Sequence, residues 1–365
     1  MSQSDSKSKT TIPWRALTLL AALGVIWIAF SLATDGTFLS PRNLSLLTRQ
    51  MCVTSLLAIG MVLVIVAGQI DLSVGAQAGF LGAVASIAYV KLEWPLGVAF
   101  AAALAVGALI GFLQGNLVAR LGIPPFIVTL GGMLVGQGAM LGVTKGVAIA
   151  PGPSFLFVGQ TYIPHAIGWT LAGALAAAFL VAGFRARGAA RWRLVGLAAL
   201  PLVLTAVMNG YEGIPLPVLI VLALASAFSV MAEHTPFGRR LYAIGGNREA
   251  AFYSGIDISR HLVGVFTLMG MMAAVAGIVL TARVGAATAD AGRMMELDAI
   301  AAAVIGGTSL LGGRGTVWGA LLGALVMASL DNGMSLMNTE AFWQPIIKGL
   351  ILVTAVGADL AARRK

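Results

Sequence analysis

Charge is what this chain has least of. Of 365 residues only 10% are Asp, Glu, Lys or Arg, while 59% are hydrophobic and mean hydropathy is +0.93. A soluble globular domain carries about 25% charged residues. This chain has too few to wet a globular surface, which excludes a large soluble α/β domain and leaves lipid as the solvent. Cysteine is scarcer still. Cys52 stands alone, so no disulfide within the chain and no Cys/His metal spacing is possible. His165, His234 and His261 lie far apart, near segment ends, and read as loop or interface residues. There is no G-x-x-x-x-G-K-[ST] phosphate loop, no G-x-S-x-G, no H-E-x-x-H and no S-x-x-K set. GGTSLLGGRG is rich in glycine but lacks the lysine and the spacing, and reads as tight turning at a membrane surface. No reaction is expected of this chain, and no metal or cofactor on it.

What is there instead is a series of apolar runs. A spanning helix needs roughly 20 apolar residues. Residues 16–33, 51–67, 74–90, 95–118, 126–143 and 167–184 qualify by length and composition. So do 194–208, 216–232, 262–280, 317–334 and 342–357. The expectation is an all-α, polytopic transmembrane helix bundle of about 10–12 membrane segments. Residues 34–40 lack a small-residue cleavage site, so 16–33 is expected to stay as an uncleaved first span. A shorter run, 299–311, leads into Gly312, Gly313, Arg314 and Gly315. Two readings are open for it: a short crossing, or a re-entrant segment buried in protein.

The net charge of +9 does not point to nucleic acid, because the basic residues form short clusters between apolar runs. With the short run counted as a crossing and the N-terminus inside, 16 of the 23 lysines and arginines fall on the inner side. That bias predicts cytoplasmic N- and C-termini. The expected organisation is a cytoplasmic tail (1–15), one transmembrane domain (16–361) and a second cytoplasmic tail (362–365). Trp14, Trp94, Trp169, Trp192, Trp318 and Trp343 sit near segment ends, as an aromatic belt requires. Gly107, Gly111 and Gly115, then Gly315, Gly319 and Gly323, repeat at four-residue spacing and predict close helix packing. The basic, apolar unit 185–208 reads as an inserted hairpin.

Polar residues inside apolar territory are the candidates for a pathway, since a charge at mid-bilayer costs about 2.5–3.5 kcal/mol on insertion scales. Asp71, in VIVAGQIDLSVG, has two open roles: capping the next helix through Ser73, or touching a substrate. Asp331 and Asn332, in ASLDNGMS, and Asn116, in LQGNLV, suit a hydroxyl-rich ligand or plain interhelical hydrogen bonds.

Residues 235–261, TPFGRRLYAIGGNREAAFYSGIDISRH, are the longest polar-rich interruption. Pro236 and Gly238 are expected to end the preceding span, and Gly245-Gly246 to turn the chain. Asn247 is a good N-cap, Glu249 suits a first turn, and Gly255 is a stop. The spacing predicts a helix of about two turns over 248–254 (Arg248, Glu249, Ala250, Ala251, Phe252, Tyr253, Ser254). Phe252 and Tyr253 form an aromatic knob suited to an interface. The competing reading, a lipid-surface anchor, asks for a longer and more basic helix.

Those residues resemble a known family. Glu249-Ala250-Ala251 within GGNREAAFYSGI resembles the coupling-loop motif of bacterial ABC importer permeases. GMVLVIVAGQIDLSVG, IPPFIVTLGGM and LDAIAAAVIGGTSLLGGRGTVWGA are similar to the permeases of ribose- and xylose-type monosaccharide importers. The extra unit at 185–208, and MASLDNGMS before FWQPIIKG, are most similar to the xylose-type members. The likeness covers nearly the whole chain. Gln69 departs from it, standing where related permeases often have a small or acidic residue. The resemblance implies a bacterial inner-membrane import pathway built from two permease copies. A cytoplasmic ATPase that carries the ATP and Mg would dock on residues 247–254, and a periplasmic binding protein would deliver the sugar. The rival is a proton-coupled sugar carrier with Asp71 in a relay. A membrane scaffold without transport activity has no positive sign in its favour.

Overall fold

The computed structural model describes residues 14–363, so of the expected tails residues 1–13 and 364–365 lie outside the described residues, while 362 and 363 belong to the last helix. In chain order the first helices are α1 (Trp14–Ala33), α2 (Pro41–Val66), α3 (Val74–Val90), α4 (Leu96–Ala119), α5 (Pro125–Thr144) and α6 (Pro153–Gln160). Then come β1 (Tyr162–Ile163), α7 (His165–Arg185), α8 (Ala189–Leu197), α9 (Ala199–Asn209) and β2 (Ile214–Pro215). The next helices are α10 (Leu216–His234), α11 (Pro236–Gly246), α12 (Arg248–Tyr253) and α13 (Ile258–Val284). The last are α14 (Met295–Ile305), α15 (Val317–Leu336) and α16 (Trp343–Arg363). Among the described residues eight helical stretches are long and apolar enough to cross a membrane, with α8 and α9 counted together as Ala190–Asn209. Thr18–Ala33 and Val74–Val90 are shorter apolar helices. This is a multi-pass, all-α membrane protein. Outward residues of α5 such as Leu134, Val135 and Leu141 are exposed, as helices facing hydrocarbon should be.

The chain divides into two compact units, the first made of residues 14–45 and 163–214 among those described. Here Phe38 is fully buried, its ring 5.4 Å from Phe30 and 6.0 Å from Trp27. α8 and α9 pack back along α7, so the region read as an inserted hairpin does fold on its neighbour.

The second unit comprises residues 46–162 and 215–363. At its centre is α13, flanked by α3 and α4. Small residues set that contact. A Cβ at Gly111 would fall 2.1 Å from the Phe266 carbonyl oxygen, and one at Gly107 would fall 2.4 Å from that of Gly270. The glycine row therefore packs backbone on backbone, as its spacing predicts. Gly111→Ala is expected to destabilise by about 1–3 kcal/mol, the usual cost of overpacking. Thermal unfolding in detergent would show this against Gly131→Ala, where the added methyl meets nothing within 4 Å. Equal midpoints for the two variants would refute the packing argument. In the second row only Gly319 and Gly323 lie on a helix; Gly315 sits in the loop before α15.

Two expectations need correction. α2 begins ten residues before the run 51–67, because Asn43 and Arg49 find partners that hydropathy ignores. Pro236 and Gly238 do not simply close a span. Pro236 opens α11, where a missing N–H costs nothing, and the Thr235 hydroxyl accepts from the Gly238 amide at 3.2 Å. Gly245 and Gly246 then end that helix rather than form a separate turn.

For the run 299–311 the structure favours one of the two open readings. α14 has 11 residues, about 16 Å of rise, half the apolar thickness of a bilayer. Yet the chain around it does traverse the unit. Near the start of α2, Arg49 donates to the Gly159 carbonyl at 3.1 Å. A Cβ at Gly159 would lie 2.4 Å from the Arg283 amide nitrogen. At the other end of α2, the Gly313 amide donates to the Val66 carbonyl at 2.9 Å. Arg49 to Val66 is roughly 26 Å along the helix. Residues 284–312 cover that distance as a non-helical stretch followed by a half-length helix. The run 299–311 is the second half of a broken crossing, which fits the short-crossing reading and not the re-entrant one. Non-helical backbone at membrane depth is tolerated where it is buried in protein or lines a water-filled cavity; here Ala287 and Gly292 are buried while Asp290, Arg293 and Met294 are exposed.

Candidate translocation and coupling sites

A second interruption faces the first. α2 ends at Val66, residues 67–73 are non-helical, and α3 starts at Val74. Its N-terminal end meets the other broken crossing: a Cβ at Gly75 would fall 2.2 Å from the Glu296 carboxylate and 2.4 Å from the Gly292 carbonyl oxygen. So two helices that begin inside the bundle, α3 and α14, start next to each other.

The break at 67–73 is held by a buried polar network, in which Gln77 Oε1 lacks a hydrogen-bond partner. The Asp71 carboxylate accepts from the Ser73 amide at 2.8 Å and from the Ser73 hydroxyl. Ser73 Oγ accepts in turn from Gln77 Nε2 at 2.6 Å and Gln114 Nε2 at 3.0 Å. Gln77 also donates to Gln114 Oε1 at 3.0 Å. Asp71, Ser73, Gln77 and Gln114 are all buried. Gln77 and Gln114 are the members that sequence reading passed over. Gln114 had a signal: it lies three residues after Gly111 and seven after Gly107, on the close-packed face of α4. Asn116 is not brought to the network. It is half-buried, and its amide donates to the Phe112 carbonyl of its own helix at 2.7 Å.

Asp331 belongs to a different cluster. Lys348 Nζ on α16 lies 2.8 Å from Asp331 Oδ1 on α15 and 3.0 Å from both carboxylate oxygens of Asp298 on α14. Asn332 is buried next in sequence within α15. Asp298 and Lys348 were not singled out, because residues 17 and 50 positions apart carry no local sign of pairing.

In the polar interruption, α12 is Arg248–Tyr253, one residue shorter than the sequence suggests. Asn247 Oδ1 accepts from the Ala250 amide at 2.9 Å, and Gly255 follows with φ +77°. Ala251 faces inward while Phe252 and Tyr253 are 66% and 78% exposed. Their rings stand edge to face, 5.7 Å apart. Arg248, Glu249 and Ala250 are exposed, and the Ser254 hydroxyl donates to the Ala250 carbonyl. A cavity of about 570 Å³ opens beside this helix, with Arg240 and Arg260 on its walls and His261 and Phe237 stacked in it. The one carboxylate lining it, Asp257, already caps α13 by accepting from the Arg260 amide.

α11 joins this surface to both interruptions. Gly245 packs on the Val66 carbonyl, where α2 ends, and on Gly312 and Gly313 of the loop after α14. The Tyr242 hydroxyl donates to the Gly315 carbonyl at 2.7 Å. Burial, and secondarily the Glu233 carboxylate, push that hydroxyl above its ordinary pKa, so it stays a donor at neutral pH.

Residues 43–356 match the family described as branched-chain amino acid transport system / permease component. The xylose transport system permease protein XylH of Escherichia coli (strain K12) is 46% identical over 363 residues, covering 95% of this chain and 92% of that protein. XylH of Haemophilus influenzae is 43% identical, covering 95% and 96%. The ribose import permease protein RbsC of Escherichia coli (strain K12) is 36% identical, covering 93% and 92%. No solved structure matches the chain.

Proposed function

We propose that this chain, which belongs to that family of transport-system permease components, forms the membrane pathway of a bacterial ATP-binding cassette importer for a monosaccharide, D-xylose or a related pentose. The observation that carries the sugar is the likeness to XylH along 95% of the chain. The shorter likeness to RbsC supports the wider class. The chain works in the inner membrane with its N- and C-termini in the cytoplasm, and two copies enclose the path. A separate cytoplasmic ATPase holds the ATP and Mg, and a periplasmic binding protein supplies the sugar.

α12 is the reading's contact for the ATPase. An exposed pair of aromatic rings on a capped helix is a rigid anchor. The recess beside it carries two arginines against one carboxylate, Asp257, and that excess of positive charge favours an acidic partner surface. ATP closes the ATPase pair, the docked helices follow, and the bundle passes between inward- and outward-facing states. ATP shifts that balance only because the partner binds the two states with different affinity. Asp71, Ser73, Asn116, Asp331 and Asn332 are the candidate pathway residues, with Gln77 and Gln114 added as partners of Ser73.

Vesicles containing the permease, its ATPase and its binding protein provide the test. Xylose uptake is expected to persist with a protonophore while ATP is maintained, and to stop when ATP is removed. Uptake abolished by the protonophore at constant ATP would establish the proton-coupled carrier instead. No uptake of any pentose would leave a scaffold.

A further inference from the structure

We infer that Tyr242 is a positioning residue for energy coupling: its hydroxyl ties the helix leading into the ATPase contact to the loop on which the broken crossings rest. The inference rests on the importer reading above.

The geometry is specific. α11 ends one residue before α12 begins, with only Asn247 between them. Asn247 is fixed on both sides: its amide donates to the Ala243 carbonyl and its side chain receives the Ala250 amide. A push on Phe252 or Tyr253 therefore reaches the last turn of α11 without a flexible link. That last turn touches two things. One is the end of α2, where a Cβ at Gly245 would fall 1.7 Å from the Val66 carbonyl oxygen. The other is the loop 306–316, where a Cβ at Gly313 would fall 2.7 Å from the Gly246 Cα. Val66 precedes the break that contains Asp71, and the loop follows α14, whose first turn meets α3 at Gly75. Both interruptions thus have their inner ends on one turn of α11.

Van der Waals contact between glycines transmits compression but not tension. The turn can push the loop but cannot pull it back. The loop is itself bonded to α2 through the Gly313 amide and Val66 carbonyl, which fastens loop to α2 but not to α11. A side-chain hydrogen bond does run between α11 and this loop, from Tyr242 to Gly315. It makes the joint work in both directions, as a cycle that returns to its starting state requires.

The test uses Tyr242→Phe, which removes one oxygen and keeps the ring. Permease, ATPase and binding protein are placed in vesicles, and xylose uptake and ATP hydrolysis are measured in the same sample. A net neutral hydrogen bond is worth about 1 kcal/mol, roughly a five-fold change in an equilibrium. The expected result is about a five-fold fall in sugar moved per ATP hydrolysed, with the ATPase still bound. A purely structural role would lower assembled complex, and uptake and hydrolysis together, leaving that ratio unchanged. An unchanged ratio overturns the inference, whatever happens to yield. A control distinguishes the two readings. If the unaltered complex shows no ATP-driven uptake, the importer reading fails. If it does and the Phe variant keeps the same ratio, only the role of Tyr242 fails.

Discussion

A permease with both Phe252 and Tyr253 replaced by alanine is expected to import sugar at less than about a tenth of the normal rate while remaining folded and in the membrane. The fold should survive because both rings point outward and alanine favours a helix. The parts that hold α12 are elsewhere: the Asn247 cap, the left-handed Gly255 and the inward Ala251. The rate should fall because truncating a buried aromatic anchor at an interface costs about 2 kcal/mol or more. Half that from each ring already exceeds the 1.4 kcal/mol that corresponds to a tenfold change. Co-purification of the ATPase, together with uptake, would measure both arms. Retained ATPase association with normal uptake would sink the proposed contact, and a loss of membrane-inserted protein would show that the rings stabilise the fold.

The features legible in the sequence are those fixed by local chemistry. The ends of α12 could be read because a cap and a left-handed glycine act within four residues. Close packing along α4, though not α13 as its partner, could be read because it needs the absence of side chains at one helical period, and Gly107, Gly111 and Gly115 supply it. Asp71 stood out because a carboxylate in an apolar run is costly. The rest depended on distance along the chain. Pro236 and Gly238 look like breakers in isolation, but Thr235 makes the same residues a helix start. Asn116 and Gln114 are equally polar in sequence; only their phase on α4 decides which one meets Ser73. Of the broken crossing at 284–312, hydropathy marked only the second half, because the first half is not helical. Its path was visible only from Arg49, Gly159 and Arg283 at one end and Val66 with Gly313 at the other.

Lys348→Met is the second substitution with a large expected effect, and its sign follows from counting charges. One ammonium serves two carboxylates, so its removal leaves Asp298 and Asp331 facing each other with no cation. The side chains are 17–20% exposed, so water offsets little of this. Removing one partner of a buried pair usually costs 3–5 kcal/mol, and slight exposure places this case at about 3 kcal/mol. The thermal midpoint in detergent should fall by several degrees, and α14 should lose its tie to α15 and α16. Adding Asp298→Asn and Asp331→Asn to the same variant should recover much of the loss, because the cost lies in unpaired charge and methionine keeps the apolar stem of lysine. If the triple variant melts as low as the single one, the stem's packing or the lost hydrogen bonds carry the effect. If Lys348→Met alone melts normally, the carboxylates have found other partners or a proton. The triad would then not be what holds the half-length helix in place.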